Sequence, residues 1–360
     1  MLRRLAAFTI IFLLSSPYLF AQPLSAYVDI QNQVMVWDNG LIHKVDYLAP
    51  QSMKIGRIAI PYVDNSSSFK VYYKGGVKTI TQGLVNGYDV SDCLVSYLIS
   101  KALYVFDRGN TKLLAGLCTT FSLADSLVMF LDDRSNEYKV YYNGQTYVIE
   151  SFIPDSVLSA IKVTDNIVAY KNYANQFRIF YHGNIIPQED YYVRSFDAGR
   201  NTVAYVDPNR QFKIFHNGQT FLAEDYPPQS FFAGDDLVAY VSNDGYFKIF
   251  YGDSIRTVGF FNPTYQVGDN IVAYKDPSGY LKAFYKGNIT ELESYYPNNL
   301  TIQYNSLAYI DATNTLKLFS DGETYEVTNA SLDNWQLNYD VIKYQIGQNM
   351  FKVFYKGQEY

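Results

Sequence analysis

Cysteine and histidine are scarce in this sequence of 360 residues. Its two cysteines, Cys93 and Cys118, cannot build the disulfide framework of a small secreted domain, and their separation leaves open one bridge or two free thiols. The three histidines, His43, His182 and His216, are too scattered to supply the converging ligands of a zinc site. We therefore predict no metal site and expect His182 and His216 to be exposed turn residues.

Proline, charge and long apolar runs are also in short supply. The 12 prolines exclude a proline-rich linker protein, while 48% hydrophobic and 17% aromatic residues exclude a disordered chain. Only 18% of the residues are charged, the net charge is −6, and no basic segment occurs. This balance disfavours binding to nucleic acid and to an anionic membrane surface. The composition is that of a folded protein rich in tyrosine, which has 36 copies.

The only long apolar run lies at the amino terminus. Two arginines precede an apolar stretch that ends at Leu14, and a small residue, Ala21, follows. This order is typical of a secretory signal peptide, and the run is short for a membrane anchor, which is the alternative. We predict that residues 1–21 are cleaved. Residues 22–360 would then be exported, as a secreted or periplasmic protein without a membrane span.

Short motifs of common enzyme sites are absent as well. The sequence contains no Gly-x-Ser-x-Gly elbow, no P-loop, no dinucleotide fingerprint and no Asp-x-Asp-x-Asp-Gly calcium loop. We therefore predict no catalytic, cofactor-binding or metal-binding residue, and no cofactor. A pair of catalytic carboxylates from distant parts of the chain stays open, because such a pair leaves no local motif.

What the sequence does contain is a repeat along its whole length. An aromatic residue at the end of an apolar segment recurs at Tyr27, Tyr62, Tyr97, Phe130, Tyr170, Tyr205, Tyr240, Tyr274, Tyr309 and Tyr344. A glycine follows each of them after 12 to 14 residues, at Gly40, Gly75, Gly109, Gly144, Gly183, Gly218, Gly252, Gly287, Gly322 and Gly357. The period of about 35 residues is typical of a repeat architecture.

Each repeat has the pattern of short antiparallel strands. Its apolar segments are rich in Val, Ile, Phe and Tyr and are separated by Gly, Asn or Asp. Pairs such as Asn143-Gly144 and Asn217-Gly218 suit two-residue hairpin turns, in which both residues take positive φ. The residue before the recurring aromatic is alanine in six repeats, which indicates close packing there. Helical periodicity is absent, so the predicted fold class is all-β.

Sheets of this kind repeated around an axis form a β-propeller, in which each sheet is covered on both faces. That arrangement accounts for strands that are apolar throughout. The unit resembles those of the WD-repeat, Tol-system and quinoprotein propellers in its order of short strand, Gly-Asp turn, strand, Asp-Gly turn and strand. The resemblance implies the fold and no particular activity. A parallel β-solenoid is the main alternative, and the Asn-Gly hairpins argue against it.

The repeats predict about ten blades of three to four strands in one domain, residues 22–360. Too few residues flank the first and last hairpins to complete ten full blades. We therefore expect an incomplete terminal blade, with nine or ten blades in one ring and a composite blade as the usual solution. Two smaller rings are the alternative, with an internal boundary near residues 150–164, where the repeat is longest.

Two columns of charged residues accompany the repeat. An Asp or Asn two residues after the aromatic, at Asp29, Asp64, Asp132, Asn172, Asp207, Asp276 and Asp311, is better explained by turn formation than by a cation-binding ring. A base recurs in the next strand, at Lys70, Lys139, Arg178, Lys213, Lys248, Lys282, Lys317 and Lys352. We expect these bases to form solvated ion pairs across their own hairpins, as Lys213 with Glu224. A basic ring for an anionic ligand is the alternative.

Tyrosines gather in the connections between repeats, at Tyr191, Tyr192, Tyr226, Tyr265, Tyr295 and Tyr296. Packing between blades is the first interpretation of these residues. If they are exposed, their rings offer a rigid surface for stacking on sugars or for binding a protein.

Three hypotheses of function follow. The first is an exported, non-enzymatic propeller that binds a protein or glycan through one rim or face, and it rests on uniform repetition without a catalytic motif. The second is a glycan-active enzyme with acids gathered at the mouth of the channel. The third is a cell-envelope assembly scaffold that uses the open edge of the incomplete blade.

Overall fold

The computed structural model describes residues 22–153, 160–347 and 350–360, which form ten antiparallel sheets. The sheets follow one another along the chain as blades 1 to 10 of a β-propeller; blades 2 to 10 have four strands and blade 1 has three. These residues contain no helix, and hence none that could cross a membrane. The all-β prediction is confirmed. The predicted signal peptide, residues 1–21, and part of the predicted boundary at 150–164 lie outside the described residues.

The strands are numbered in chain order. Blades 1 to 3 comprise β1 (Ser25–Val28), β2 (Val34–Asp38), β3 (Leu41–Asp46); β4 (Ser52–Met53), β5 (Ala59–Val63), β6 (Phe69–Tyr73), β7 (Gly76–Thr81); and β8 (Gly87–Val90), β9 (Leu94–Ile99), β10 (Ala102–Asp107), β11 (Asn110–Ala115). Blades 4 to 6 comprise β12 (Phe121–Leu123), β13 (Leu127–Asp132), β14 (Glu137–Tyr142), β15 (Gln145–Glu150); β16 (Lys162–Val163), β17 (Ile167–Lys171), β18 (Phe177–Tyr181), β19 (Asn184–Glu189); and β20 (Phe196–Gly199), β21 (Thr202–Val206), β22 (Phe212–His216), β23 (Gln219–Glu224).

Blades 7 and 8 comprise β24 (Ser230–Gly234), β25 (Leu237–Val241), β26 (Tyr246–Tyr251), β27 (Ser254–Phe260); and β28 (Tyr265–Val267), β29 (Ile271–Lys275), β30 (Leu281–Tyr285), β31 (Asn288–Glu293). Blades 9 and 10 comprise β32 (Leu300–Gln303), β33 (Ser306–Ile310), β34 (Leu316–Ser320), β35 (Glu323–Thr328); and β36 (Asn334–Asn338), β37 (Val341–Ile346), β38 (Met350–Tyr355), β39 (Gln358–Glu359).

Within each blade the strands lie side by side in chain order. Tyr27 lies in β1 as Tyr62 lies in β5, so β1, β2 and β3 correspond to the second, third and fourth strands of the other blades and are called so below. The first strand is innermost, because the turns that follow it surround the central channel. The second strand is buried on both faces, as in β25, where all five residues are buried, whereas the outermost strand β27 is mostly exposed. The apolar second strands of the sequence are therefore the layers that two neighbouring blades cover.

Alternate residues of a second strand contact opposite neighbours. Tyr205 packs against Phe177 of the preceding blade, with ring centroids 5.2 Å apart. Ala204, on the other face of the same strand, shares a core with Val238 and Tyr240 of the following blade. The small alanine leaves room for that large ring, which explains the alanine column that precedes the recurring aromatic.

In eight of the ten interfaces the last residue of the third strand matches the residue that it faces in the next blade. In six interfaces it is Tyr or His, and its ring meets a Phe edge-on, as Tyr181 meets Phe215 at 5.5 Å. In two interfaces it is Asp, and the facing Phe is replaced by Tyr, whose hydroxyl donates to the carboxylate. These pairs are Tyr72–Asp38, at 2.8 Å, and Tyr141–Asp107, at 2.7 Å. The blades are thus matched to their neighbours and are not interchangeable.

The ten blades close into one ring. Trp37 of blade 1 packs against Tyr355 and Tyr360 of the last blade, at 5.2 and 5.3 Å. Blades 4 and 5, on either side of the suspected internal boundary, share a core that contains Val140 and Tyr170. Two smaller rings and a nine-bladed ring are therefore excluded. The composite blade is also wrong, since β39 completes blade 10 from its own residues and blade 1 is the incomplete one.

Four of the repeated bases, Lys70, Lys213, Lys248 and Lys317, pair with an acid of the preceding blade. Lys282 and Lys352 pair across their own hairpins, so the expectation of pairs within a hairpin is wrong for Lys213 and holds for these two. Lys213 Nζ lies 2.9 Å from Glu189 of the preceding blade, whereas Glu224 binds Lys248 of the following blade at 2.7 Å. A β-bulge between Phe212 and Lys213 places Glu224 opposite Phe212. Its carboxylate therefore lies on the face that carries Phe212, which is the face toward the following blade.

The recurring Asp residues form turns, as predicted, and also bind the repeated bases. One oxygen of Asp207 accepts the N–H of Gln211 at 2.8 Å, and the other lies 2.9 Å from Lys213 Nζ. The same two roles recur at Asp311. Each of these aspartates therefore stabilises its turn and also binds the lysine that pairs with the preceding blade.

The two cysteines are free thiols. Cys118 is buried and donates its thiol to the carbonyl of Thr120 at 3.3 Å, while Cys93 is half-buried in the same core region. Burial raises the pKa of both thiols, that of Cys118 to about 11. A thiol held in its neutral form is a poor nucleophile, so these residues act as small apolar side chains.

Candidate functional site

The turn between the first and second strands of each blade ends at the central channel. Its tip lies five residues before the recurring aromatic, and the ten tips form what we call the channel-mouth ring. The ring consists of Gln22, Arg57, Asp92, Asp125, Asp165, Arg200, Asp235, Asp269, Tyr304 and Tyr339. A cavity of about 520 Å³ opens among the tips of blades 4 to 9. Five carboxylates thus converge on one end of the channel with only two arginines in the ring.

Backbone packing holds these tips together. Gly199 precedes one tip, and a Cβ at this position would lie 2.1 Å from the carbonyl oxygen of Gly234 in the next blade. The tips also bond to one another, since the N–H of Asp235 donates to the carbonyl of Asp269 and that of Asp269 to the carbonyl of Tyr304. Glycine at this turn therefore permits the close approach that crowds the aspartates.

Four carboxyl groups of the ring, those of Asp92, Asp165, Asp235 and Asp269, have raised pKa values. Burial and the charge of Asp125 raise the pKa of Asp92 to about 6, and burial raises that of Asp235 to about 6. Burial together with Asp235 and Asp125 raises the pKa of Asp269 to about 8. Burial and Asp125 raise the pKa of Asp165 furthest, and its carboxyl donates a hydrogen bond to Asp125. Near neutral pH the ring therefore holds protons that ordinary aspartates would release.

One side of the ring is neutralised by aromatic and cationic groups. The Arg57 guanidinium lies 3.9 Å from Asp92 and 5.4 Å from the centre of the Tyr339 ring. Tyr339 stacks on Tyr304 at 4.0 Å and bonds Asp92 through its hydroxyl. Burial and Asp92 raise the pKa of Tyr339, so this hydroxyl stays a donor. The arrangement can attract a cation or exchange protons. Within the described ranges, however, no three His, Cys, Asp or Glu side chains are placed to hold a metal ion together.

The channel wall below the ring is polar and internally paired. Its inward-facing residues lie eight positions before the recurring aromatic, at Lys54, Asp89, Ser122, Lys162, Asp197, Phe232, Gln266, Thr301 and Gln336. Lys54 lies 3.0 Å from Asp89 and Lys162 lies 2.9 Å from Asp197. These ion pairs leave the channel-mouth ring as the acidic part of the channel.

A buried histidine adjoins the ring, which sequence reasoning missed. His216 is only 5% exposed, and its two ring nitrogens contact Asp253 at 2.6 Å and Asp236 at 3.0 Å. Hydrogen bonding to Asp236 and to Asp253 raises the pKa of His216. The expectation of an exposed turn residue was therefore wrong for His216, although His182 is exposed. His216 takes the place of the interface tyrosine in other blades.

Sequence reasoning also missed the channel-mouth ring itself. The prediction rested on the column two residues after the aromatic, which holds Asp in six repeats and shapes turns, and not on the column five residues before the aromatic. That column holds Asp in five repeats, Arg in two and Tyr in two. Five aspartates at one repeat position were the available signal, since a closed propeller brings equivalent positions of its blades to one end of the channel.

The opposite end of the propeller carries the connections between blades, and we call it the crossover face. Strands alternate in direction, so these connections and the turns after the second strands share one end. Tyr191, Tyr192 and Tyr226 are exposed there, Tyr191 by 75%. Packing between blades is therefore wrong for these three. It holds for Tyr265, which packs against Phe247 at 5.2 Å, while Tyr295 and Tyr296 are half-buried.

Tyr191 and Tyr192 border a cavity of about 540 Å³ on the crossover face, together with Arg194 and Pro208. The buried Lys171 lies beneath it, with Nζ 4.2 Å from the centre of the Tyr192 ring. Flat rings beside charged donors are suited to a polar ligand with apolar faces. The two exposed rings and the Arg194 side chain thus border one open depression.

Comparison with known families agrees with this architecture. A family model described as the 10-bladed beta propeller domain matches residues 18–360. The chain belongs to this family. The structure has ten blades, which is the number that the family description gives. No curated protein sequence is significantly similar to this ten-bladed propeller.

Solved structures resemble the propeller only loosely. A computationally designed protein, Ika8, is 17% identical, with 75% of this chain and 96% of that chain covered and a TM-score of 0.35. The CRINKLY WD40 ectodomain of the Arabidopsis thaliana receptor kinase ACR4 is 12% identical, with 68% and 98% covered and a TM-score of 0.34. Prp20p of Saccharomyces cerevisiae, described with its binding to Gsp1p and histones, is 10% identical, with 55% and 70% covered and a TM-score of 0.30. Such low scores carry no argument about function.

Proposed function

We propose that this ten-bladed propeller is an exported, non-enzymatic binding module that holds a glycan on its crossover face. The exposure of Tyr191 and Tyr192 beside a cavity carries the proposal. Contiguous exposed apolar surface often marks a binding site, and these two neighbouring rings form such a surface beside the cavity. The signal-like amino terminus supports export to the periplasm or the medium, where glycans are the common polymers.

The chemistry of the cavity favours sugars over a purely apolar ligand. The tyrosine rings can stack on the apolar face of a pyranose, and the Arg194 side chain borders the same cavity and can donate to hydroxyl groups. Exposed aromatic residues also occur in the two adjacent connections, at Phe152 and Tyr226. A chain of several sugar units could contact more than one of them.

A thermal-shift screen against soluble glycans tests this proposal. A ligand at 100 times its Kd stabilises the folded state by about 2.7 kcal/mol, which moves the transition measurably. The double variant Tyr191→Ala/Tyr192→Ala should lose the shift and keep the stability of the parent, because both rings are exposed. Leu113→Ala, an exposed residue on the outer strand β11, is the matched control. A flat screen, or a shift that survives the double variant, counts against the glycan and directs the search to a protein partner.

The acids of the channel-mouth ring favour a second candidate, a glycan-active enzyme. Burial and Asp125 raise the pKa of Asp165, and a carboxylic acid with a raised pKa is the proton donor that glycoside hydrolysis requires. Asp165 bonds Asp125 directly, so the second catalytic carboxylate would have to be another acid of the ring. These acids follow the register of the repeat and do not depart from it, which weakens the case. Release of reducing sugar that is abolished in Asp165→Asn and kept in Asp89→Asn would establish the enzyme. No turnover of any glycan that binds would reject it.

A further inference from the structure

The cavity beside Tyr191 and Tyr192 adjoins a lysine that stands where most repeats have an aliphatic residue. The position directly after the recurring aromatic holds Val, Leu or Ile in seven repeats, at Val28, Val63, Leu98, Leu131, Val206, Val241 and Ile310. Lys171 takes this position in blade 5 and is only 7% exposed. Lys275, the equivalent lysine of blade 8, is exposed. A lysine at this position can thus reach water, yet the one beside the cavity is buried.

The ammonium group of Lys171 has few of the partners that a buried charge needs. Its Nζ atom lies 3.5 Å from the carbonyl oxygen of Val193, 4.2 Å from the centre of the Tyr192 ring and 5.9 Å from that of Phe196. In the described part of the chain no carboxylate forms an ion pair with it. The aromatic rings offset part of the cost of burying this charge, and the rest destabilises the folded state. Proteins retain such costs chiefly where function needs the group.

Arg194, which borders the same cavity, has an unengaged side chain on a fixed backbone. Its N–H donates to the carbonyl of Val206 at 3.2 Å. At the equivalent position of blades 2 and 7 the side chains of Gln51 and Gln229 donate to a backbone carbonyl in a turn of their own blade, at 3.3 Å in both cases. The Arg194 guanidinium is exposed and makes no such bond to any described residue. It is therefore available to a ligand in the cavity.

The carboxylates that adjoin the cavity residues along the chain are already engaged. Glu189 and Asp207 both bind Lys213, each at 2.9 Å. Asp190 lies 3.5 Å from a guanidinium nitrogen of Arg178. The two bases of the cavity are thus left without a counter-charge, in a protein whose net charge is −6.

We propose that the glycan held on the crossover face is acidic, and that the positive charges of Arg194 and Lys171 select a carboxylate on one of its sugar units. This inference rests on the proposed glycan-binding function. A planar guanidinium donates two parallel hydrogen bonds to a carboxylate, which a neutral sugar does not match. A neutral sugar would also cover Lys171 further and leave its charge without a partner, whereas a carboxylate supplies one at a place where water screens little.

Uronic-acid polymers test the class of glycan. Binding to polygalacturonate, alginate and hyaluronan is measured by calorimetry, each beside its carboxyl-reduced form, which keeps the linkages and lacks the charge. We expect at least one acidic polymer to bind about tenfold or more tightly than its reduced form, and its binding to weaken as salt is raised. Equal affinity for both forms, or binding of neutral glycans alone, would overturn the acidic class and leave the glycan-binding function in place. Absence of binding to every glycan would reject that function, and this inference with it.

Variants of the two bases test the residues. Arg194→Gln installs the residue of blades 2 and 7 and should weaken binding of the acidic polymer about tenfold. Lys171→Met should also weaken binding and should leave Tm equal to or above that of the parent, because it removes a buried charge without a counter-charge. The matched control Lys275→Met changes the exposed lysine of blade 8 and should alter neither quantity. Unchanged binding in Arg194→Gln would contradict the proposal. A Lys171→Met variant that melts lower and binds as the parent does would show that this lysine serves only the fold.

Discussion

At the scale of single residues, the blade interfaces show how one side chain dictates its partner. Where a third strand ends in Asp, the neighbouring blade supplies Tyr in place of Phe, as at Asp107 and Tyr141. A carboxylate against a Phe ring would be desolvated without a donor, and a hydroxyl removes that cost. Burial and Asp107 raise the pKa of Tyr141, so the hydroxyl remains a donor at all ordinary pH values.

This matching predicts the effect of Tyr141→Phe. The variant removes the donor from Asp107 and should lower the free energy of unfolding by about 1.5 kcal/mol. The double variant Asp107→Tyr/Tyr141→Phe recreates the Tyr–Phe pair of other interfaces and should recover part of that loss. Urea denaturation measures both, with Tyr173→Phe, an exposed tyrosine, as the control. If the double variant loses more free energy of unfolding than the two single variants lose together, the matching of Asp107 to Tyr141 is contradicted.

His216 predicts a pH dependence of stability. Its folded pKa lies above the ordinary value of 6.5, because Asp236 and Asp253 favour the charged ring. The stabilisation is therefore complete below about pH 6.5 and is lost as pH rises through the folded pKa. His216→Tyr, which installs the residue found at this position in six other blades, should remove that part of the dependence of Tm on pH. His182→Tyr, at an exposed turn, should leave it unchanged, and equal slopes in the parent and His216→Tyr would contradict the assignment.

These residues also mark the limit of sequence reasoning. The turn role of Asp207 could be predicted, because Asp two residues beyond a strand bonds its own backbone wherever the blade lies. The burial of His216 could not, because it depends on the carboxylates of Asp236 and Asp253 that folding brings to it. The same holds for the exposure of Tyr191, which depends on the path of a connection.

At the scale of strands, a repeated β-bulge decides where charges go. Each of blades 1 to 9 has a register shift near the start of its third strand. A regular ladder would place Glu224 on the same face as Lys213, which was the expectation from the sequence. The bulge moves Glu224 to the opposite face, where it binds Lys248 of the following blade and accepts from the Tyr240 hydroxyl at 2.8 Å. Asp46, Glu189 and Glu293 bind the following blade in the same two ways. The hairpin pattern of the sequence does not indicate a bulge, so the ion pairs between blades could not be predicted from it.

A double-mutant cycle distinguishes pairing between blades from pairing within a hairpin. Lys213→Met and Glu189→Gln, singly and together, should show a coupling energy of about 0.5–1 kcal/mol, since the pair is only partly exposed. The same cycle with Lys213→Met and Glu224→Gln should give a value near zero. Unfolding midpoints in urea provide the energies. A larger coupling for the second cycle would restore the pairing across the hairpin.

At the scale of the whole molecule, ten similar turns acquire a property that no single repeat has. One aspartate at a turn tip is an ordinary surface acid, but closure of the ring brings five of them around one channel. The period of the sequence predicted the blades, and the count of repeats predicted an incomplete one. The convergence of the tips could not be predicted until the number of blades and the single ring were known. The acidic mouth is therefore a consequence of closure.

The acidic mouth predicts that the protein is most stable in mild acid. For Asp269, with a folded pKa of about 8, the folded state binds more protons than the unfolded chain between about pH 4 and 8. Stability should therefore fall as pH rises through this window, and the elevated pKa of Asp165 acts in the same direction. Turn acids with lowered pKa values, such as Asp64 and Asp311, oppose this only below about pH 4. Asp165→Asn/Asp269→Asn should raise Tm at pH 8 and flatten its decline between pH 5 and 8. The control Asp89→Asn removes a paired acid of the channel wall and should leave the decline of Tm between pH 5 and 8 unchanged. If Asp165→Asn/Asp269→Asn melts lower than the parent at pH 8, the aspartates of the ring do not destabilise the folded protein by mutual repulsion.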